Sequence, residues 1–154
     1  MKLIIEMNNS ITILVLAAFT ITASGCVSNE IQGAKITGDI GYSVGYVSEN
    51  QTNFQRISWT ASFANSGDQN AENVRAYVIL NPEVVSRLVD SNMSSVTLNE
   101  LHPGVWTGFK GNATFNATGL GKQDIAAWEP LVKLKVTWTE NGRIIEKILP
   151  EARK

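Results

Sequence analysis

Apolar and polar residues alternate along most of the chain after residue 34, with the period of two that is typical of strands with one buried face. The clearest segment covers residues 56–63, where one face carries Ile57, Trp59, Ala61 and Phe63 and the other carries Arg56, Ser58, Thr60 and Ser62. A shift of one residue would turn Trp59 and Phe63 toward water. The pattern therefore predicts the register of this strand as well as its existence.

Further segments alternate in the same way and predict core faces of their own. The members of these faces are Ile36, Ile40, Tyr42, Val44 and Tyr46; Val74, Ala76, Val78 and Leu80; Val105, Phe109, Ala113 and Phe115; and Val132, Leu134, Val136 and Trp138. Within the first of these strands, Gly38, Gly41 and Gly45 indicate bulges or bends.

Turn and helix signals separate these strands. Asn141-Gly142 precedes the apolar run 143–149 and is typical of a tight hairpin, because both residues tolerate the positive φ angles of a type I′ turn. Asn81-Pro82 predicts the start of a short helix over 83–90, since proline suits the first helical position. Six or seven short strands with so little helix indicate the all-β class, as a single immunoglobulin-like antiparallel β-sandwich of about seven strands at residues 35–149, after an N-terminal signal helix.

The N-terminal region has a different pattern, with an apolar run from Ile11 to Ile21 followed by Ala23-Ser24-Gly25 and the only cysteine of the chain, Cys26. The run is shorter than the roughly 20 residues of a permanent membrane helix, and small residues after it suit a signal peptidase. The sequence predicts a signal peptide with a lipobox at 1–25, a lipidated Cys26, a tether at 26–34 and a tail at 150–154. The mature protein is then expected on the extracytoplasmic face of the cell membrane, held there by its lipid.

An alternative interpretation of the N-terminal region stays open. Position 23 is Ala, where lipoboxes usually have Leu or Val, and either Met1 or Met7 is the start of the chain. In this alternative the apolar run is a signal anchor that is never cleaved, and Cys26 is a free thiol.

Composition excludes several classes of function. The 13 basic and 14 acidic side chains nearly balance, and no Lys/Arg cluster is present that would neutralise a row of phosphates, so we expect no nucleic-acid partner. One histidine and one cysteine do not make a zinc site, and the aspartates are too isolated for a calcium loop. We expect no metal and no cofactor.

Three short segments carry a resemblance to a known group of domains. They are Phe63-Ala64-Asn65-Ser66-Gly67, residues 71–78 with Ala71 and Val74, and residues 98–109 with Leu101-His102-Pro103-Gly104. Together they resemble immunoglobulin-like surface domains of the CARDB and FxLYD type, although Leu80-Asn81-Pro82 replaces the Leu-Tyr-Asp of an FxLYD domain. The resemblance implies a non-catalytic module for adhesion, spacing or protein binding, with an unknown surface protein or glycan as its partner.

One motif suggests catalysis. Gly41-Tyr42-Ser43-Val44-Gly45 matches the nucleophile elbow of hydrolases, with His102 as the candidate base and Asp68 or Asp90 as the third member. An elbow needs a strand that turns sharply into a helix, whereas Ser43 lies within an alternating strand. We therefore rank a serine hydrolase as the least favoured hypothesis and expect that the protein is not an enzyme.

Sequons and tryptophans complete the candidate sites. Asn50, Asn92, Asn112 and Asn116 begin Asn-x-Ser/Thr sequons beyond the signal region, and Asn112 and Asn116 share the strand face opposite Ala113 and Phe115. Chance occurrence in polar loops is an equal explanation for them.

Trp59 and Trp138 fall on core faces, whereas Trp106 lies on a polar face and Trp128 in the loop 121–130. Trp106 and Trp128 are thus candidates for stacking on a sugar, which makes a carbohydrate-binding module the alternative function.

Overall fold

The computed structural model of the protein describes residues 33–150. These residues form eight strands, one more than the sequence predicted: β1 (Ile36–Tyr46), β2 (Phe54–Asn65), β3 (Ala71–Leu80), β4 (Leu88–Asn92), β5 (Ser95–Leu101), β6 (Trp106–Asn116), β7 (Val132–Glu140) and β8 (Arg143–Leu149). Two helices of a single turn each are α1 (Pro82–Ser86) and α2 (Lys122–Ala126). The predicted signal helix, Cys26 and residues 151–154 lie outside the described residues.

The strands form two antiparallel sheets, which confirms the predicted all-β sandwich. One sheet has the order β1-β2-β6-β4 and the other has the order β5-β3-β7-β8. If the strands other than β5 are lettered A to G along the chain, the sheets are ABED and CFG, the arrangement of a constant-type immunoglobulin domain. β5 is an additional strand that pairs with the outer edge of β3.

The core lies between the two sheets and is built from the predicted alternating positions. Ile57, Trp59, Ala61 and Phe63 are all buried in β2, and their counterparts in β3 and β7 are buried in the same way. The Asn141-Gly142 turn joins β7 to β8 with positive φ at both residues, as a type I′ turn requires. No helix among residues 33–150 is long and apolar enough to span a bilayer.

Three details of the prediction are wrong. The helix that begins after Asn81 ends at Ser86, because Leu88–Asn92 leaves it to pair with β6 as an edge strand. The β1–β2 register is continuous from Ile36 to Tyr46, so the glycines of β1 mark no bulge. Val105 precedes β6 and is 44% exposed, so it belongs to no core face.

Two glycines of the first sheet are required by close contacts between neighbouring strands. A Cβ atom on Gly38 would lie 2.5 Å from the carbonyl oxygen of Ser62, and one on Gly111 would lie 2.6 Å from the Trp59 ring. Trp59 and Gly111 are cross-strand partners, so the indole occupies the space that a side chain at residue 111 would need. Gly41, by contrast, has no heavy atom within 4 Å of its Cβ position.

A buried side-chain amide joins the turns at the end of the sandwich where the chain enters. Asn65 is fully buried, and its Oδ1 accepts hydrogen bonds from the backbone N–H of Lys35 at 3.1 Å and of Gly67 at 3.0 Å. Its Nδ2 donates to the carbonyls of Gln69 at 2.6 Å and of Leu101 at 3.0 Å. One side chain thereby links the start of β1, the β2–β3 turn and the end of β5.

The Asn65 amide generates a stability prediction. Asn65→Ala leaves four backbone groups without their partner, so we expect a loss of about 3 kcal/mol in the free energy of unfolding. Urea denaturation measures this, with Asn99→Ala as the matched control, because the Asn99 side chain is exposed. Equal unfolding midpoints for the two variants would contradict the role given to Asn65.

The packing of Trp59 generates a second prediction. Gly111→Ala places a methyl group against the indole and against the Asn92 carbonyl, so we expect a loss of about 1–3 kcal/mol. The matched control is Gly41→Ala, whose methyl group enters open space and whose stability should stay unchanged or rise slightly. Thermal unfolding followed by near-ultraviolet circular dichroism measures both. Similar behaviour of the two variants would show that the Trp59 contact is not restrictive.

Candidate functional site

The sandwich has two ends with different surroundings, and β1 extends from one end to the other. We call the end that carries Gly33, Asn65 and the Asn141-Gly142 turn the entry end, because the chain enters the domain there. The opposite end, which carries Tyr46 and the starts of β2 and β7, is the far end. At about 3.3 Å per residue, the length of β1 separates the two ends by roughly 33 Å.

A groove opens at the far end, and we call it the far-end groove. It has a volume of about 440 Å³, which is within the range of about 300–1,000 Å³ for small-molecule sites. Its lining residues come from β1, β2, α2 and the segment before β7, and they are Val44, Gly45, Tyr46, Gln55, Lys122, Ile125, Ala126, Glu129 and Leu131. The lining is thus mainly apolar, with one cation and one anion.

The groove forms because β1 continues beyond the core. Val44 and Tyr46 follow the alternation of the predicted core face, but they are 36% and 56% exposed, so the prediction that they are core residues is wrong. On the other side, buried Ile125 fixes α2 to the core, and the Asp124 carboxylate accepts a hydrogen bond at 2.7 Å from the Gly121 N–H. The groove lies between these two elements.

The backbone of β1 adds a second feature to this end. β1 is an edge strand that pairs only with β2 among the strands that the structure describes. One side of its backbone therefore lacks a sheet partner along the segment that borders the groove. Unpaired edges of this kind accept an added strand from another chain.

Trp106 lies at the entry end, on the outer face of the β1-β2-β6-β4 sheet. Its side chain is 67% exposed and borders a shallow depression of about 380 Å³ that also includes Thr60, Ser62, Gly108 and Lys110. Gly108 has to be small, since its Cβ would lie 2.5 Å from the Ala61 carbonyl oxygen. The indole therefore stands beside a shallow, mainly apolar depression that Thr60 and Ser62 also line.

Trp128 has a different environment from the one predicted. The segment 121–130 contains α2, and the Trp128 ring is half-buried against the core. Its ring centroid lies 6.2 Å from that of Phe115, and the Arg87 guanidinium lies 5.8 Å from the ring. Its carbonyl accepts a hydrogen bond from Asn81 Nδ2 at 2.6 Å. Through these contacts the Trp128 ring covers the far end of the core. Trp106 lies at the entry end, so the two candidate tryptophans are not brought together.

The residues of the hydrolase hypothesis are also far apart. Ser43 pairs with Ser58 in the far half of the first sheet, whereas His102 follows β5 at the entry end. The register along β2 from Ser58 to Asn65 separates these two levels by about 23 Å. His102 instead contacts Asn70 at 3.1 Å and Glu100 at 3.7 Å on the surface. The hydrogen bond from base to nucleophile that this chemistry needs is not formed.

The sequons occupy positions of unequal accessibility. Asn50 is exposed in the β1–β2 connection, and Asn116 is exposed at the end of β6, where its Oδ1 accepts a hydrogen bond from the Thr118 N–H at 2.9 Å. Asn112 is half-buried and is the direct cross-strand partner of Asn92. Asn112 and Asn116 share a face opposite buried Ala113 and Phe115, as predicted. Their use for glycosylation stays a prediction.

The described part of the chain contains no group of three or more His, Cys, Asp or Glu side chains arranged for a metal ion.

Among residues 33–150, one side chain has a clearly shifted pKa, and it lies away from both ends, on the outer face of the second sheet. There the Glu146 carboxylate, 2.5 Å from Lys135, raises the pKa of the Lys135 ammonium through a hydrogen bond. The Lys135 side chain is half-buried, and the Tyr77 side chain of β3 raises the pKa of Lys135 further.

Comparisons with known proteins assign the chain neither a family nor a function. No protein-family model matches the chain, and no curated protein does. Among solved structures, a Bordetella pertussis protein assigned as ApaA is 14% identical, with a TM-score of 0.37, over 77% of this chain and 90% of that one. A protein from Archaeoglobus fulgidus is also 14% identical, with a TM-score of 0.31, over 74% and 90%. Both are small all-β domains, and with TM-scores below 0.5 neither likeness carries a functional argument.

The sequence analysis missed the far-end groove. Its members come from four separate segments, and Val44 and Tyr46 have the same alternation as true core residues. Ile57, the cross-strand partner of Val44, is itself buried, so the strand pairing gives no sign that Val44 is exposed.

Proposed function

We propose that the protein is a membrane-anchored extracytoplasmic lipoprotein whose immunoglobulin-like module binds a surface protein without catalysis. The observation that supports it is the position of the far-end groove, at the opposite end of β1 from the residue where the chain enters the domain. A tether to the membrane at residues 26–34 would then hold the entry end, and the groove would face away from the bilayer.

The chemistry of the groove favours a protein segment as its ligand. An extended segment can pair with the free edge of β1 through its backbone, while one of its apolar side chains enters the groove against Val44 and Tyr46. Lys122 and Glu129 stand at this lining with opposite charges and would select the polar residues on either side. Backbone pairing supplies affinity in such complexes, and the pocket supplies specificity.

The resemblance to CARDB and FxLYD domains supports the same proposal at the level of the family. It rests on the Asn65-Ser66-Gly67 turn, the Ala71 to Val74 strand start and the Pro103-Gly104 turn. Asn65 gives the first of these motifs a physical reason, because its amide organises the turn.

Carbohydrate binding through Trp106 is the second candidate. It is supported by the exposed indole beside the hydroxyl groups of Thr60 and Ser62, since a sugar combines an apolar face with polar edges. Trp106→Ala should then abolish binding to a glycan panel while the fold remains intact.

The membrane attachment can be tested by mass. We expect the protein extracted from membranes to begin at Cys26 and to carry added lipid mass, and we expect Cys26→Ser to lack that mass and leave the membrane fraction. A matched control is Ser28→Ala, which changes a neighbouring hydroxyl and should change neither. A chain that begins at Met1 or Met7 would instead identify a retained signal anchor.

The groove can be tested by photo-crosslinking on intact cells. A benzoyl-phenylalanine at Tyr46 should form a discrete adduct with an extended segment of one surface protein, whereas the same probe at Tyr77 should not. Tyr77 is a suitable control because it is 39% exposed on the outer face of the other sheet. Val44→Ser should lower the adduct yield about tenfold, because it removes about 1.4 kcal/mol of apolar contact. Equal adducts at the two tyrosines, or a yield that Val44→Ser leaves unchanged, would contradict binding in the groove.

A further inference from the structure

We propose that the entry end of the sandwich rests on the lipid bilayer, with Trp106 and Ile144 as the side chains that insert into its interface. The inference rests on the proposed membrane attachment and adds a second, weaker contact to it. It assigns a function to exposed apolar side chains that neither the core nor the far-end groove uses.

The point where the chain enters the domain is fixed by hydrogen bonds. The Ala34 N–H donates to Glu140 Oε1 at 2.7 Å, and the Lys35 N–H donates to Asn65 Oδ1 at 3.1 Å. Gly33 packs so closely on the Glu140 carboxylate that a Cβ there would overlap it. The chain therefore leaves the domain beside the β7–β8 turn and the end of β2, in a defined place.

The length of chain before this point limits the distance to the membrane. Six residues, Val27 to Gln32, separate Cys26 from Gly33. The seven Cα–Cα steps from Cys26 to Gly33 can span at most about 25 Å, at roughly 3.5 Å per step. This reach is shorter than the roughly 33 Å length of β1. The entry end is thus the end nearest the bilayer, whether Cys26 carries a lipid or follows a retained signal anchor.

The two most exposed large apolar side chains of residues 33–150 lie at this end. Ile144 is 81% exposed and Trp106 is 67% exposed. Ile144 pairs with Thr139, the neighbour of Glu140, and Trp106 pairs with Ala64, the neighbour of Asn65. Each residue therefore lies within one strand position of the level of a side chain that holds the entering chain, Ile144 on one sheet and Trp106 on the other.

The side chains of the entry end suit the interface of a bilayer that carries no net charge. Tryptophan prefers the level of the lipid headgroups, where its ring is apolar and its N–H remains hydrated. The ionisable side chains toward the entry end have both signs: Lys35, Asp39, Asp68, Glu72, Glu100, His102, Lys110, Glu140 and Arg143. Because they include no basic cluster, the contact does not depend on anionic lipid. Two side chains bind weakly alone, and the tether makes the contact effective by keeping the local concentration of bilayer high.

Tryptophan emission of the full chain in phosphatidylcholine vesicles with brominated acyl chains tests the proposal. Bromine quenches only the indoles that reach the bilayer, and Trp59 and Trp138 are buried in the core. We expect bromine-dependent quenching in the native chain, its loss in Trp106→Phe, and its retention in Trp128→Phe. Ile144→Ser should weaken the quenching, whereas Val89→Ser, which removes another exposed aliphatic side chain, should not.

Each other outcome contradicts the proposal in a recognisable way. Chains that fail to float with the vesicles would refute the membrane attachment and, with it, this contact. Chains that float without quenching, or whose quenching survives Trp106→Phe, would refute the contact alone. Protection of Trp106 from soluble acrylamide by a glycan, or by raised protein concentration without vesicles, would assign this end to a sugar or to a second copy.

Discussion

The Asn65 amide is the constraint on which the arrangement of the entry end depends. It uses both of its donors and both lone pairs of its acceptor on four backbone groups from three segments, namely the start of β1, the β2–β3 turn and the end of β5. Buried backbone groups in turns need such partners, since water does not reach them. The carbonyl of the same residue accepts a hydrogen bond from Gly104 N–H at 2.7 Å, so the turn before Trp106 is held as well. The chain contains no disulfide that would link its sheets, because its single cysteine precedes the domain.

The two ends of the sandwich are built on different physical grounds. At the entry end, the turns are tight and their backbone groups are hydrogen-bonded. A few apolar side chains remain exposed to solvent there. At the far end, β1 continues past its core partners, and a single helical turn closes only part of the opening. The first arrangement gives a rigid surface with isolated apolar residues. The second gives a concave surface beside an unpaired backbone edge.

Period-two alternation predicted the sandwich because burial of one face is decided locally, residue by residue, as in β2 from Ile57 to Phe63. The type I′ turn at Asn141-Gly142 was predictable for a similar reason, since its φ angles depend on two residues alone. Exposure of Val44 and Tyr46 was not predictable, because it depends on where the opposing sheet ends. The burial of the Trp128 ring was not predictable either, because the ring contacts Phe115 and Arg87, which are distant in sequence. Trp106 was correctly predicted to lie on an exposed face, because the alternation within its own strand determines that face.

The path of β1 has a mechanical consequence. The proposed tether would join the domain immediately before this strand, and the proposed partner would add to the free edge of its last residues. A load between membrane and partner would then be carried along the covalent backbone of one strand, with the eleven-residue pairing to β2 resisting slippage in shear. Hydrogen bonds loaded in this direction share the force, whereas bonds at a pulled hairpin end would open one after another. Tension between the cell surface and its partner would therefore leave the core of the sandwich largely unstressed.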